Sequence, residues 1–241
     1  MVDRRGAQPP GFAPRPLDGL RLLISAGGTR EPIDSVRFVG NRSSGRMGFA
    51  LADEAAARGA EVTVVAANIA LARNPAVEYV DVGTAAELEA AVRERLPACD
   101  VLVMAAAVAD FRPADPHEGK IKKRGRDQLQ LRMVATPDVL AGVKNLRRPD
   151  QVIVGFAAEA GDQLLVEARR KLESKGLDLI VANDISDAEI GFESDINEVT
   201  MLGADLQPRA TPRGGKREVA AAILERISEL VNQRAPTSRT R

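Results

Sequence analysis

Between Gly27 and Gly45 the chain gathers residue types that hold anions. Gly27-Gly28 follow a short apolar strand, Leu22 to Ala26, and Ser43-Ser44-Gly45 open an alanine-rich helix. Strand, glycine turn and helix N-terminus direct backbone N–H groups and the positive end of the helix dipole at one point. The connecting loop carries Arg30, Glu31, Asp34, Arg37, Asn41 and Arg42, more polar groups than a plain connection needs. The expectation is a phosphorylated ligand bound here, with chemistry done on it. A tight turn would explain the two glycines alone, but not the charged loop beside them. Asn41 reads either as turn chemistry or as an amide donor to an oxyanion or acyl phosphate oxygen.

A second set lies further along. Lys120, Lys122 and Lys123 form the triplet KIKK inside a long polar segment that leaves an apolar strand at Asp110. A charge run is usually a solvated face. Loops leaving the C-terminal ends of parallel strands, however, sit where α/β ligands bind, and a lysine there could neutralise departing pyrophosphate. Asp110 reads as a ribose or base ligand, or as a cap of the following turn. Lys171 and Lys175 are one helical turn apart and share a face. Glu167, four residues before Lys171, leaves an exposed salt-bridge ladder equally open. Phe156 is either ordinary core or a wall against a base.

The inventory excludes other chemistry. His117 is the only histidine and lies in the polar segment, so a Ser-His-Asp triad has no natural place. No Cys/His set has zinc spacing; a hard cation such as Mg²⁺, held by phosphates and one carboxylate, is the metal that fits. Cys99 has no disulfide partner within the chain, which points to a reducing compartment, hence the cytoplasm. The 34 basic and 34 acidic residues cancel, giving no bulk-charge reason for nucleic acid or membrane as partner. No apolar run approaches the ~20 residues of a bilayer span, and the N-terminus lacks the apolar core of a signal peptide.

The elements that must position these residues alternate. Strands are expected at Leu20 to Ala26, Glu61 to Ala67, Val77 to Val82, Val101 to Ala109, Val152 to Ala158 and Leu177 to Asp184. Helices are expected at Ser44 to Arg58, Ala85 to Arg95, Leu164 to Lys175 and Lys216 to Val231. Unbroken apolar strands fit the centre of a parallel sheet covered on both faces. Strand–helix alternation predicts a three-layer α/β fold, a Rossmann-like, doubly wound, mainly parallel sheet. Asp110 to Gln128 is long enough for a flap, and Leu129 to Val134 alternates like a partly exposed strand. A helix from Pro137 to Val143 takes Thr136 as its N-cap. Asn197 to Gly203 reads as an edge strand. Residues 1–18, rich in Pro and Arg, read as a disordered arm or linker remnant, 19–233 as a single domain, and 234–241 as a frayed tail.

Taken in order, GGTREPID, VRFVGNRSSGRMG, AAAVADFRP, KIKK, ATPDVL, VGFAAE and VANDIS resemble phosphopantothenoylcysteine synthetase, the ligase of coenzyme A biosynthesis, over roughly Leu20 to Val231. The resemblance implies a ligase joining (R)-4′-phosphopantothenate to L-cysteine, with CTP as co-substrate, Mg²⁺, and an acyl-cytidylate formed with release of pyrophosphate and then of CMP. It implies that Asn41 and Lys120 are catalytic, the first on the acyl-cytidylate and the second on the triphosphate. Ala105, Ala106, Ala107, Asp110, Pro137, Asp138, Val139, Leu140, Phe156, Lys171 and Lys175 are implied at the nucleotide, with Lys120. Gly28, Arg37, Ser43, Ser44 and Gly45 are implied, with Asn41, at the substrate or the dimer contact. It further implies a homodimer, in which the strand Leu129 to Val134 pairs across subunits.

The resemblance also implies a frequent fusion to, or association with, a flavin-dependent decarboxylase. Only the short arm precedes the fold here, so a stand-alone synthetase or an excised half is expected, with neither decarboxylase activity nor FMN in this chain. Two rivals are set against the ligase. An NADP-dependent reductase suffers because the second strand ends at Asn68 without the acidic residue that holds a ribose. A non-catalytic nucleotide-binding domain should lack Asn41 or Lys120, and both are present.

Overall fold

The computed structural model describes residues 15–234 other than 124, 126, 160, 185, 187–195 and 212. Strand β1 (Arg21–Gly27) leads into a hairpin, β2 (Arg30–Pro32) and β3 (Phe38–Gly40), and then helix α1 (Arg46–Ala57). Next come β4 (Glu61–Ala67), β5 (Glu78–Val82), α2 (Ala85–Arg95) and β6 (Val101–Met104). A small antiparallel ribbon, β7 (Phe111–Pro113) with β8 (Met133–Ala135), precedes α3 (Val139–Lys144), β9 (Val152–Glu159), α4 (Leu164–Lys175) and β10 (Leu179–Asp184). The chain continues through β11 (Ile196–Asn197), β12 (Val199–Gly203), β13 (Arg209–Ala210) and β14 (Gly214–Gly215) to α5 (Lys216–Arg234).

The main sheet has the order β13-β12-β10-β9-β6-β1-β4-β5. The strands from β10 to β5 are all parallel, and β12 and β13 add an antiparallel edge. Alternate residues of each strand enter opposite layers, as the two-residue strand period requires. Ile24, Val64, Val103 and Val154 pack under α1 and α5; Leu23, Val65, Leu102 and Ile153 pack under α2, α3 and α4. Each such side chain taken fully out of water contributes about 1.5–3 kcal/mol, so the doubly covered sheet is the stable frame.

Local chemistry sets the ends of these elements. Thr84 and Glu87 form a reciprocal capping box at the start of α2. Gly27 has φ +88°, and a Cβ there would stand 2.1 Å from the Ala67 carbonyl oxygen, so the turn after β1 tolerates only glycine.

Several expectations are corrected. The apolar run 101–109 is a strand only as far as Met104. Beyond it Ala105 and Ala107 donate to the carbonyls of Ser25 and Gly27, while β9 runs on beside β10 as far as Glu159. The two neighbours therefore part after the Met104–Gly155 pair, and a cleft opens between them. The loop after β1 contains the β2–β3 hairpin. Of 129–134 only the last two residues join a strand, which continues to Ala135 and pairs with β7 of the same chain. The N-cap of α3 is Asp138, whose carboxylate accepts from the Ala141 N–H at 3.0 Å. Thr136 instead donates its hydroxyl to the Ala109 carbonyl. Strand β12 lies one place inside the edge, because the two-residue β13 covers it.

The domain limits move outward. Leu17 is 1% exposed, and its N–H donates to the Arg58 carbonyl, so residues from Arg15 pack with the fold. Helix α5 runs to Arg234, which pairs with buried Asp178. The rest of the expected arm (1–14) and tail (235–241) lies outside the described residues.

Candidate functional site: a cleft between diverging parallel strands

The parting of β6 and β9 makes a cleft at the C-terminal end of the sheet, where ligands of open α/β sheets bind. Its first recess, a cavity of 340 Å³, has Ala105–Val108 on one wall and Phe156–Glu159 on the other, closed by Asn41 and by Ser43–Gly48 at the start of α1. A second recess of 520 Å³ adjoins it, bounded by Pro137–Leu140, Lys171 and Lys175. Ala106, Val108, Asp110, Phe156 and Lys171 line both recesses.

The start of α1 lines the first recess. Gly45 is left-handed (φ 77°), no side chain caps the helix, and its first turn contains no acidic residue. The first N–H groups of a helix have no intrahelical acceptor; the Arg46 N–H has the Ser44 hydroxyl at 3.5 Å, and Ser43–Gly48 line the recess at the positive end of the helix dipole. Asn41 is oriented by its own amide, which donates to the Val108 carbonyl at 3.0 Å. Gly28 does not line the cleft. A Cβ on it would lie 2.8 Å from the Asn41 carbonyl oxygen, so it serves by letting the Asn41 backbone come close. Where a dinucleotide fold keeps its ribose acid, the Asn68 amide instead donates to the carbonyls of Gly28 (2.9 Å) and Gly83 (2.8 Å).

The two helical lysines leave the ladder considered from the sequence. Glu167 pairs with Arg170, while Lys171 reaches across to Glu159 at 2.8 Å. Lys175 pairs with Asp138. Burial works to raise the Asp138 carboxyl, but the Lys175 ammonium and the Ala141 N–H outweigh it and hold it below the usual carboxylate range. Both lysines thus stand at the cleft with carboxylate partners that a polyphosphate could replace.

Besides Gly28, two of the expected residues fall elsewhere. Lys120 and Arg37 share a separate basic recess with Lys122 and Lys123. Arg37 is ion-paired to Asp34 and donates to the Ile121 carbonyl at 2.9 Å. Conversely, the sequence reading did not single out Glu159, Asn183, Asn197 or Lys216, all at the first recess. Asn183 is 8% exposed, and its amide oxygen has no partner among the described residues. A polar residue closing a fully apolar strand, as Asn183 closes LIVA and Glu159 closes VIVGFAA, is the signal that could have found two of them. Among the described residues no cluster of three or more His, Cys, Asp or Glu could cage a metal, and no helix is long and apolar enough to cross a membrane.

Comparison with known proteins agrees with this architecture. The chain is 46% identical over 224 residues to the coenzyme A biosynthesis bifunctional protein CoaBC of Mycolicibacterium smegmatis, covering 89% of this chain and 54% of the relative. It is 46% identical over 215 residues to the protein of that name in Escherichia coli, covering 88% of this chain and 52% of the relative. The chain thus spans about half the length of these curated relatives. Among solved structures, the C-terminal domain of a coenzyme A biosynthesis bifunctional protein CoaBC superposes with a TM-score of 0.77 at 36% identity, covering 91% of this chain and 99% of that one. Residues 17–231 match the model of one family throughout, and the chain belongs to it: the DNA/pantothenate metabolism flavoprotein C-terminal domain family.

Proposed function

We propose that this domain is the phosphopantothenate–cysteine ligase of coenzyme A biosynthesis, CTP-dependent and cytoplasmic. The observation that carries the reading is the pair of adjoining recesses. One is closed by Asn41 and an uncapped helix start, the other by Asp138, Lys171 and Lys175, and Asp110 and Phe156 stand in both. Two ligands, one an acyl phosphate precursor and one a nucleotide, can therefore meet at a common wall.

In this reading 4′-phosphopantothenate lies at Ser43–Gly45 with Asn41 at its carboxylate, and Ala105–Ala107 face the nucleotide. The nucleotide takes Pro137–Leu140 and Phe156, and its phosphates replace the carboxylate partners of Lys171 and Lys175. A carboxylate oxygen attacks the α-phosphorus and pyrophosphate leaves. The cysteine amine then attacks the acyl carbon of the acyl-cytidylate and CMP leaves. The protein supplies position and charge rather than a nucleophile, consistent with a site that uses neither His117 nor Cys99. Magnesium fits the hard oxygen donors present, held by the phosphates with Asp110 or Glu159, where it supplies charge neutralisation.

Lys120 and Arg37 line neither recess of their own chain, and Val36, Phe38, Phe111, Leu129 and Leu131, on and beside the same two small ribbons, are exposed. These features favour a homodimer in which the ribbons of one copy present Lys120 and Arg37 to the cleft of the other. The bifunctional names of the half-matched relatives support fusion to, or association with, the flavin-dependent decarboxylase, FMN being no part of this domain.

The test is pyrophosphate release with 4′-phosphopantothenate, Mg²⁺ and CTP or ATP, with and without L-cysteine. Turnover with CTP that requires cysteine is expected. Lys120→Gln should slow the first half-reaction, and Asn41→Asp should let the acyl-cytidylate accumulate. Mixing the two inactive variants should restore about a quarter of wild-type activity, since half the random dimers carry one intact shared site. Silence with every nucleotide would overturn the ligase, and no complementation would overturn the shared site.

A further inference from the structure

Asp34 is a charged residue that the ligase reading leaves without a task, although its side chain is fully buried. Its carboxylate accepts from the backbone N–H groups of Val36 (2.9 Å) and Arg37 (2.8 Å), which closes the turn between β2 and β3. It also accepts from the Arg37 guanidinium and, across 87 residues of sequence, from the Ile121 N–H at 3.0 Å. Arg37 completes the grip by donating to the Ile121 carbonyl at 2.9 Å. Both backbone groups of the residue after Lys120 are therefore held by the hairpin turn. A third stitch runs from the His117 N–H to the Ile33 carbonyl at 3.0 Å. The hairpin in turn is fixed to the body, because buried Glu31 accepts from the Ala85 N–H at the start of α2. Its second strand ends at Gly40, directly before Asn41.

We propose that Asp34 is a positioning residue: its carboxylate clamps the flap at Ile121, and so fixes Lys120 against the β2–β3 hairpin from which it is presented to the cleft of the other copy. A closing turn needs only the Val36 and Arg37 N–H groups, which an exposed Asp or Asn satisfies. Burial of the carboxylate and its bond to a distant flap residue go beyond that requirement. With the Arg37 guanidinium beside it, the carboxyl is held well below its ordinary range, so the clamp stays charged throughout neutral pH. The flap is rich in glycine and lysine, and an unheld flap would disperse Lys120 over many positions, where a misplacement of 1 Å can cost ~100-fold in rate.

This inference rests on the reading of Lys120 as the lysine of the activation step, so one readout is independent of activity. Asp34→Asn keeps an oxygen for the turn but forfeits the charge, and Ile121→Pro removes the N–H from the flap side without touching the hairpin. Each should raise the rate of tryptic cleavage after Lys122 and Lys123 by about 10-fold in the native protein, as expected for a segment freed from local protection. Each should lower kcat for pyrophosphate release while sparing conversion of preformed acyl-cytidylate by cysteine. On a Lys120→Gln background Asp34→Asn should cause no further loss, because it acts through that lysine. Unchanged cleavage in both variants would overturn the clamp. Additive losses on the Lys120→Gln background, or equal slowing of both half-reactions, would reduce Asp34 to a general stability role. If Lys120→Gln turned over normally, the ligase reading of Lys120 would fall, while the cleavage rates would still decide the clamp.

Discussion

Gly48, the third residue of α1, turns a steric observation into a sign test. A Cβ at this position would stand 2.5 Å from the Ala26 Cβ, 3.2 Å from its Cα and 3.3 Å from the Ser25 carbonyl oxygen. Carbon atoms in ordinary contact lie about 3.5–4.0 Å apart, so Gly48→Ala must push the start of α1 off β1 by about 1 Å. Overpacking of this kind costs about 1–3 kcal/mol. Replacing glycine by alanine inside a helix returns about 1 kcal/mol. The net expectation is a loss of about 1 kcal/mol (range about 0–2), seen as a fall in Tm of about 2–4 °C for a domain of this size.

The same displacement moves the start of α1, which lines the first recess, away from the cleft, where a 1 Å error is worth ~100-fold in kcat/KM. Thermal unfolding followed by circular dichroism and pyrophosphate release under CTP saturation measure the two effects. Ala50→Gly, which weakens the same helix by about 1 kcal/mol through propensity without crowding the strand, is the control. It should match the loss of stability and keep nearly full activity. A Gly48→Ala protein with raised Tm and unchanged kcat/KM, the usual outcome of glycine-to-alanine in a helix, would refute both the packing argument and the ligand role of the helix start.

Two further expectations concern groups away from the cleft. Asp178, 9% exposed, accepts from the Ile153 N–H and the Arg147 guanidinium, each at 2.7 Å, and pairs with Arg234 of the last helix. Asp178→Ala leaves two guanidinium groups without their common anion, so a loss of about 3 kcal/mol is expected, read as a lower urea midpoint; a shift below about 0.5 kcal/mol would show that solvent replaces the carboxylate. Burial pushes the Cys99 thiol up to about 11, so only about a thousandth is thiolate at pH 8. A disulfide reagent should leave the native protein unlabelled and modify one thiol per chain in denaturant, whereas prompt native labelling would show the base of the sheet opening.

How much of this was legible follows from the range of the forces involved. The α2 and α4 boundaries agree with the sequence reading to the residue, because apolar periodicity and the Thr84–Glu87 capping box are local signals. The apolar strands were likewise legible, since residues buried on both faces need unbroken hydrophobic runs. The run 101–109 misled for the same reason. Composition cannot tell that the last five residues stay with β1 while β9 departs with β10. Thr136 lost its capping role to Asp138 because either residue type caps a helix, and only the neighbouring Ala109 carbonyl and Lys175 ammonium decide between them.

The sequence by itself determined the layered sheet and the family, because these reside in residue type and short spacing. Tertiary structure alone decided which charges meet. It drew Lys171 away from Glu167 to Glu159, set Asn183 with an unpartnered oxygen at the cleft, and parted Lys120 and Arg37 from Asn41. It also gave Asp34 a partner 87 residues away. Coulombic and hydrogen-bond partners are fixed by distances across the fold, and the cleft exists only because two parallel strands that are neighbours in the sheet diverge beyond a single residue pair.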